Sequence, residues 1–231
     1  MLKIEVKMPG LDEIKRTIAN MEKQTRFATA VALTRTAKAV KDAMPTVMDQ
    51  ELDRPTPFTK RGLFVKAASP SDLTAVVGFM DRQASYLQYQ IAGGTRTPTA
   101  RGIKLPGNIE LNSFGNIPKG MIDKLKVAAQ SGQLSKAIGK KIGVGDRRKG
   151  AAALQLLYGK PTGRGWEKAP MGIWRRVPGS PGKLIPVIMF EDTPARYQPR
   201  FKFYEAATAV VRREWDRQFA LAFAEAMRSA K

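Results

Sequence analysis

Apolar residues recur along the first fifth of the chain at the spacing of a helix. Leu11, Ile14, Ile18 and Met21 fall at three- and four-residue steps, and Ala30, Leu33, Ala37, Val40 and Met44 do so again in a second register. The pattern predicts one long amphipathic helix over 11–48 whose buried face shifts, or whose axis bends, around the nearly all-apolar stretch Phe27 to Ala32. Asp12 and Glu13 at its start and Lys38 and Lys41 late in it suit the helix dipole. Pro45 either ends the helix or kinks it, because it has no amide hydrogen to donate and disfavours helical geometry at Met44. A second long helix is predicted over 201–230, with Ala207, Val211, Trp215, Phe219 and Ala222 roughly in line. Glu205 near its start and Arg228 and Lys231 at its end again match the dipole.

Between these helices the period changes. Leu2, Ile4 and Val6 alternate with charged residues as in a half-buried strand, closed by Pro9-Gly10. Residues 46–52 read as a further helical turn or two, and Arg54 to Phe58, with two prolines, as extended chain. Strands over 62–68 and 73–80 form a hairpin through Ser69-Pro70-Ser71-Asp72. Ser85 to Ala92 is a third strand or a short helix, broken by Gly93-Gly94. Residues 97–120 are loop-like, a length that is usually functional or ordered by a partner. Met121 to Gln130 is a helix with Ile122, Leu125 and Ala129 on one face, and 133–141 a shorter one. Strands follow at 153–158, 172–177 and 184–190; the last two pair across Pro178-Gly179-Ser180-Pro181-Gly182, and Pro186 places its strand at an edge or a bulge. The stretches near 98–120 and 159–182 read as excursions from one domain, bracketed by the long helices and hairpins.

Composition narrows the chemistry. The 231 residues contain no Cys and no His, which removes thiolate chemistry, the commonest general base and the commonest metal ligand. A zinc site or a Ser-His-Asp triad is thereby excluded. Gly139 to Gly145 superficially resembles a phosphate-cradling loop but lacks the Gly-Lys-Ser/Thr ending and a preceding strand. Glu191-Asp192 and Asp12-Glu13 are adjacent carboxylates explained by element ends, since neighbours on a strand point to opposite faces. No spacing selects a Ser-Lys pair, and no motif implies a cofactor or metal. No apolar run approaches the roughly twenty residues of a membrane span, and Met1 to Gly10 has no hydrophobic leader core.

Forty Lys and Arg against twenty Asp and Glu leave a formal charge of +20. That excess fits a polyanionic partner, or a basic surface meeting acidic protein neighbours. The candidate contacts are Arg96, Arg101, Lys104, Lys140, Lys141, Arg147, Arg148, Lys149, Arg164, Arg175 and Arg176, all in the middle of the chain. Tyr158, Trp166 and Trp174 lie among them; stacking on bases is one use for such rings, covering the core the commoner one. The cations need read no bases, so sequence-independent DNA contact is the form this predicts.

The order of elements also carries a resemblance. The long helix, Thr56-Pro57-Phe58-Thr59-Lys60-Arg61-Gly62-Leu63-Phe64-Val65-Lys66, the strand Thr74 to Phe79, Tyr86-Leu87-Gln88-Tyr89-Gln90 with Gly93-Gly94-Thr95-Arg96, and a closing helix follow one another. With Gly172-Ile173-Trp174-Arg175-Arg176-Val177 and Leu184-Ile185-Pro186-Val187, the chain resembles the tail-completion proteins of tailed phages, in particular the minor tail protein Z group, over 11–97 and 170–231. The resemblance implies an α+β core in which two long helices pack on an antiparallel β-sheet, with a loop-rich insertion carrying short helices and a hairpin. The corresponding division is 1–97, a basic insertion 98–170, and 171–231 completing the core. It further implies a non-enzymatic virion protein, assembled in the host cytoplasm into a hexameric ring at the tail–head junction. Its partners would be tail terminator or tail tube proteins, head–neck connectors and, non-specifically, the genome, with no membrane. The alternative is an independent, sequence-independent nucleic-acid-binding protein of packaging or condensation.

Overall fold

The computed structural model describes residues 11–100, 102–132, 134–143, 156–177, 180 and 182–229. The expected strand over 2–6 and the basic residues of the 144–150 loop lie outside them. Helix accounts for 48% and strand for 18%, so the fold is mixed α+β. The chain divides into two compact units, one built from its two ends, up to Ala92 and from Pro199, and the other from Gly93–Gln198.

In the helical unit, α1 (Leu11–Glu51) packs along α6 (Phe203–Ser229). At one end of the pair Ala28 and Ala32 meet Ala222 and Ala226, small residues that let the two backbones approach. Farther along, Val40, Met44 and Met48 of α1 form the core with Val210, Phe201 and Phe203. α1 continues through Pro45 to Glu51, so the proline neither ends it nor confines it to the expected 11–48. An interior proline costs about 3 kcal/mol. Fully buried Met44 and Met48, one on each side of it, each return roughly 1.5–3 kcal/mol by leaving water. The longer helix also removes Lys38 and Lys41 from its last turn.

Two expectations about buried faces are corrected. Ile18 and Met21, expected on a buried stripe, are 61% and 51% exposed, because the pairing with α6 begins only near Ala28. On α6 the buried residue is Val210, at 6% exposure, while Val211 is 41% exposed. Ala207, Trp215, Phe219 and Ala222 of the expected line do pack in the cores shared with α1, so the departure is confined to Val211.

The hairpin is present as β1 (Leu63–Lys66) and β2 (Val76–Phe79), antiparallel with Leu63 opposite Phe79. Ser69 and Asp72 close its turn by exchanging main-chain bonds. Leu63, Val77 and Phe79 join the core of the long helices. Arg54 to Phe58 is not all extended: Arg54 is left-handed at φ 46° and Phe58 lies in the short α2 (Pro57–Lys60), capped by Thr56. The ambiguous segment after β2 is helical, α3 (Asp81–Ile91), held by buried Leu87 and by Gln83, whose side-chain amide donates to the Phe58 carbonyl at 3.1 Å. In the last turn of α3, the Gln90 carbonyl accepts from the amides of Arg200 and Phe201 at 2.7 and 2.9 Å.

The second unit opens and closes with paired strands, β3 (Gly94–Arg96) against β8 (Ala195–Tyr197). Inside lies a four-stranded antiparallel sheet in the order β4 (Ile103–Pro106), β7 (Leu184–Glu191), β6 (Met171–Arg176), β5 (Leu156–Gly159). β4 falls within the expected loop. The hairpin β6–β7 forms as predicted, but it bonds to β4 and β5, so residues 171–198 complete this unit and the expected divisions at 97 and 170 are not where the compact units part. Pro186 sits in a central strand beside a bulge: Ile173 pairs with Ile188 and Trp174 with Pro186, leaving Val187 as the extra residue. Helices α4 (Met121–Ser131) and α5 (Lys136–Lys141) accompany the sheet; Leu125 and Ala128 of α4, with Ile142, bury its core side of Ile173, Val187 and Ile188.

Candidate functional site: a basic cleft in the sheet unit

Cross-strand partners share one face of an antiparallel sheet. The register therefore puts Lys104 of β4, Phe190 of β7 and Met171 of β6 on one face, with Tyr158, Ile173 and Ile188 in the next row. The rings of Phe190 and Tyr158 meet edge to face with centroids 6.2 Å apart. Over this face opens a cleft of about 1300 Å³, bounded on one side by β4 and the residues before it and on the other by Asn116 to Lys126.

The cleft combines cations with apolar surface. Lys104 and Lys119 are exposed at its rim, and Lys126, half-buried on α4, holds its ammonium 4.9 Å from the Tyr158 ring centre and 5.8 Å from that of Phe190. The two rings attract that cation through their quadrupoles. Met171, 44% exposed, supplies an open apolar contact. Asp123 and Asp192 also line the cleft. Among the described residues no three His, Cys, Asp or Glu side chains converge to hold a metal ion. What this arrangement can do is bind anionic groups next to apolar ones.

The candidate cations do not form one cluster at this site. Lys104 lines the cleft. Arg96 is exposed on β3; Lys140 and Lys141 end α5; Arg164 is exposed in the loop before Trp166; and Arg176 is exposed at the end of β6. Arg175 is half-buried opposite Leu156, with a buried Nε that finds no partner among the described residues. Arg101, Arg147, Arg148 and Lys149 lie outside the described residues. No ion pair among the described residues joins Arg96, Lys104, Lys140, Lys141, Arg164 or Arg176 to a carboxylate. Trp174 is buried and stands edge-on to Trp166 at 5.5 Å, the core-covering use of these rings.

Lys119 and Lys126 are the site residues that sequence reasoning missed. Lys119 precedes α4 and Lys126 lies on it, and the packing of α4 on the sheet puts them in one cleft with Lys104. Comparison with family models, with curated proteins and with solved structures finds no match to this chain.

No helix among the described residues is long and apolar enough to cross a membrane.

Proposed function

We propose that the chain is a structural protein of a tailed-phage virion, a tail-completion or neck component that repeats as a hexameric ring, joins tail to head and lines part of the DNA channel. The observation that carries this reading is the distribution of charge. The sheet unit holds 19 Lys and Arg against 6 Asp and Glu, about two thirds of the excess of the whole chain, in fewer than half of its residues. Such a field attracts a polyanion without reading its sequence, as a genome channel requires. The order of elements, long helix, hairpin, second hairpin and closing helix, supports the reading as well. In it, the two long helices and their antiparallel strands are the repeated core, and the sheet unit is the insertion that reaches neighbours. Those neighbours are the tail terminator or tube on one side and head–neck connectors on the other. The chain is built in the host cytoplasm, resides in the virion and transforms no substrate.

The same charge supports a second reading, a free-standing nucleic-acid-binding protein of packaging or condensation. Sedimentation of the purified chain at moderate salt, with and without duplex DNA, separates the two. A discrete ring, or assembly with tail and neck proteins, is expected. A monomer that binds DNA with steep salt dependence and is missing from purified particles refutes the virion reading.

A further inference from the structure

We propose that the cleft over Phe190 and Met171 binds an extended acidic segment of a partner protein, with carboxylates on Lys104, Lys119 and Lys126 and an apolar side chain against Met171. This goes beyond the virion reading and stands without it, because it rests on the cleft alone.

Size is the first reason. At about 1300 Å³ the cleft exceeds the ~300–1,000 Å³ of pockets that enclose small molecules, so a segment of chain fits it better. Chemistry is the second. Lys104 and Lys119 are exposed and have no carboxylate partner among the described residues, while Met171 offers open apolar area on the side of Phe190 away from Lys104. Acidic polypeptides present that mixture of anions and apolar groups; a nucleic-acid backbone presents anions at every step. Two features disfavour a nucleic acid here. Phe190 is buried, Tyr158 is half-buried and the Lys126 ammonium lies over both rings, which leaves little ring surface for a base to stack on. Asp123 and Asp192 in the lining repel a continuous run of phosphates.

The occupant is not a second copy of this chain. Exposed Lys104 and Lys119 call for carboxylates, of which this chain carries half as many as cations, so complementarity at the cleft selects an acidic partner. Strand addition is not required either: Gly102, Lys104 and Pro106, alternate residues of the β4 segment, line the cleft, which puts the site on the face of the sheet.

The test uses the full chain and fluorescence anisotropy at physiological salt. The probes are a short labelled peptide of glutamates around one central phenylalanine, its phenylalanine-to-serine version, and a labelled oligothymidylate. The double variant Lys104→Glu/Lys119→Glu changes two exposed residues and retains the fold; Lys126→Gln is the second variant. Both are expected to weaken the phenylalanine peptide, the double variant by about tenfold or more, and to leave oligothymidylate within about twofold, since its binding draws on cations across the unit. The serine peptide is expected to bind more weakly than its parent. Failure of the wild-type chain to bind the peptide, equal peptide affinity in wild type and both variants, or a loss confined to oligothymidylate overturns the proposal; the last outcome assigns the cleft to nucleic acid. None of these outcomes bears on whether the chain assembles into rings.

Discussion

Val210 and Val211 are adjacent on α6 and differ in one respect that matters: the first is 6% exposed in the core with Met44, Phe201 and Phe203, the second 41% exposed. Val210→Ala removes two methyl groups from that core. At about 0.8 kcal/mol per buried group, with a contribution for the space left behind, the loss is roughly 2 kcal/mol. Val210→Asp forfeits the whole side-chain burial, about 1.5–3 kcal/mol, and strands a carboxylate that costs several kcal/mol more. That total rivals the ~5–15 kcal/mol stability of a domain, so the aspartate variant is expected not to fold. Val211→Asp is expected to fall within about 0.5 kcal/mol of wild type. Urea titration followed by helical ellipticity reads all three. With a slope near 2 kcal/mol per molar, Val210→Ala lowers the midpoint by about 1 M and Val211→Asp leaves it in place. Equal damage from the two aspartates, or an unmoved midpoint in Val210→Ala, would refute the assignment of the buried face and with it the pairing of α1 with α6.

Other positions give further tests. A Cβ at Gly172 would come 2.6 Å from the Ile188 carbonyl oxygen, so Gly172→Ala should destabilise the sheet unit by roughly 1–3 kcal/mol, seen as a lower urea midpoint in tryptophan fluorescence with Trp215 replaced by Phe. Arg35 and Glu225 join α1 to α6 through bonds of 3.2 and 2.8 Å, and the guanidinium holds the Glu225 carboxyl below its ordinary range. A carboxyl depressed in the folded state stabilises it fully above its unfolded pKa of about 4.3. That contribution is lost as pH falls through the lower folded value; Glu225→Gln should flatten this part of a melting-versus-pH curve, and an unchanged curve would discount the pair. Thr56 caps α2 by accepting from the Thr59 amide at 3.1 Å, so Thr56→Ala should cost about 1 kcal/mol by thermal melting. Replacing Arg147, Arg148 and Lys149 together with Gln should leave circular dichroism unchanged and reduce ring assembly or particle infectivity.

Much of the fold is legible in the pattern of apolar residues, and the departures have identifiable causes. Periodicity locates α1, α4, α6 and both hairpins because each buries a stripe or alternates across a sheet. It misassigns one position on α6, since Val210 and Val211 are equally apolar and only the path of α1 chooses between them. It buries Ile18 and Met21, because a stripe does not reveal how far the partner helix extends. β4 escapes notice because its Ile103-Lys104-Leu105-Pro106 sits among glycines, prolines and asparagines and becomes a strand only by pairing with β7. Pro186 is expected at an edge or a bulge, and it sits beside a bulge in a central strand. The cleft is the least legible part: Lys104 is visible as a cation, but strand register brings Tyr158 onto its face and the packing of α4 brings Lys119 and Lys126, and no spacing along the chain encodes either.

The main-chain bonds from Arg200 and Phe201 to Gln90 have a consequence for how such a chain is put together. They hold the start and finish of a hundred-residue excursion within a few ångströms, and β3 zipped to β8 does the same from the other side of the junction. Loop closure of this kind becomes only slowly more expensive with length, at roughly 0.6 kcal/mol per doubling. The frame of long helices is therefore expected to tolerate replacement of residues 93–198 by a short turn between Ala92 and Pro199, seen as retained helical ellipticity and a cooperative melt.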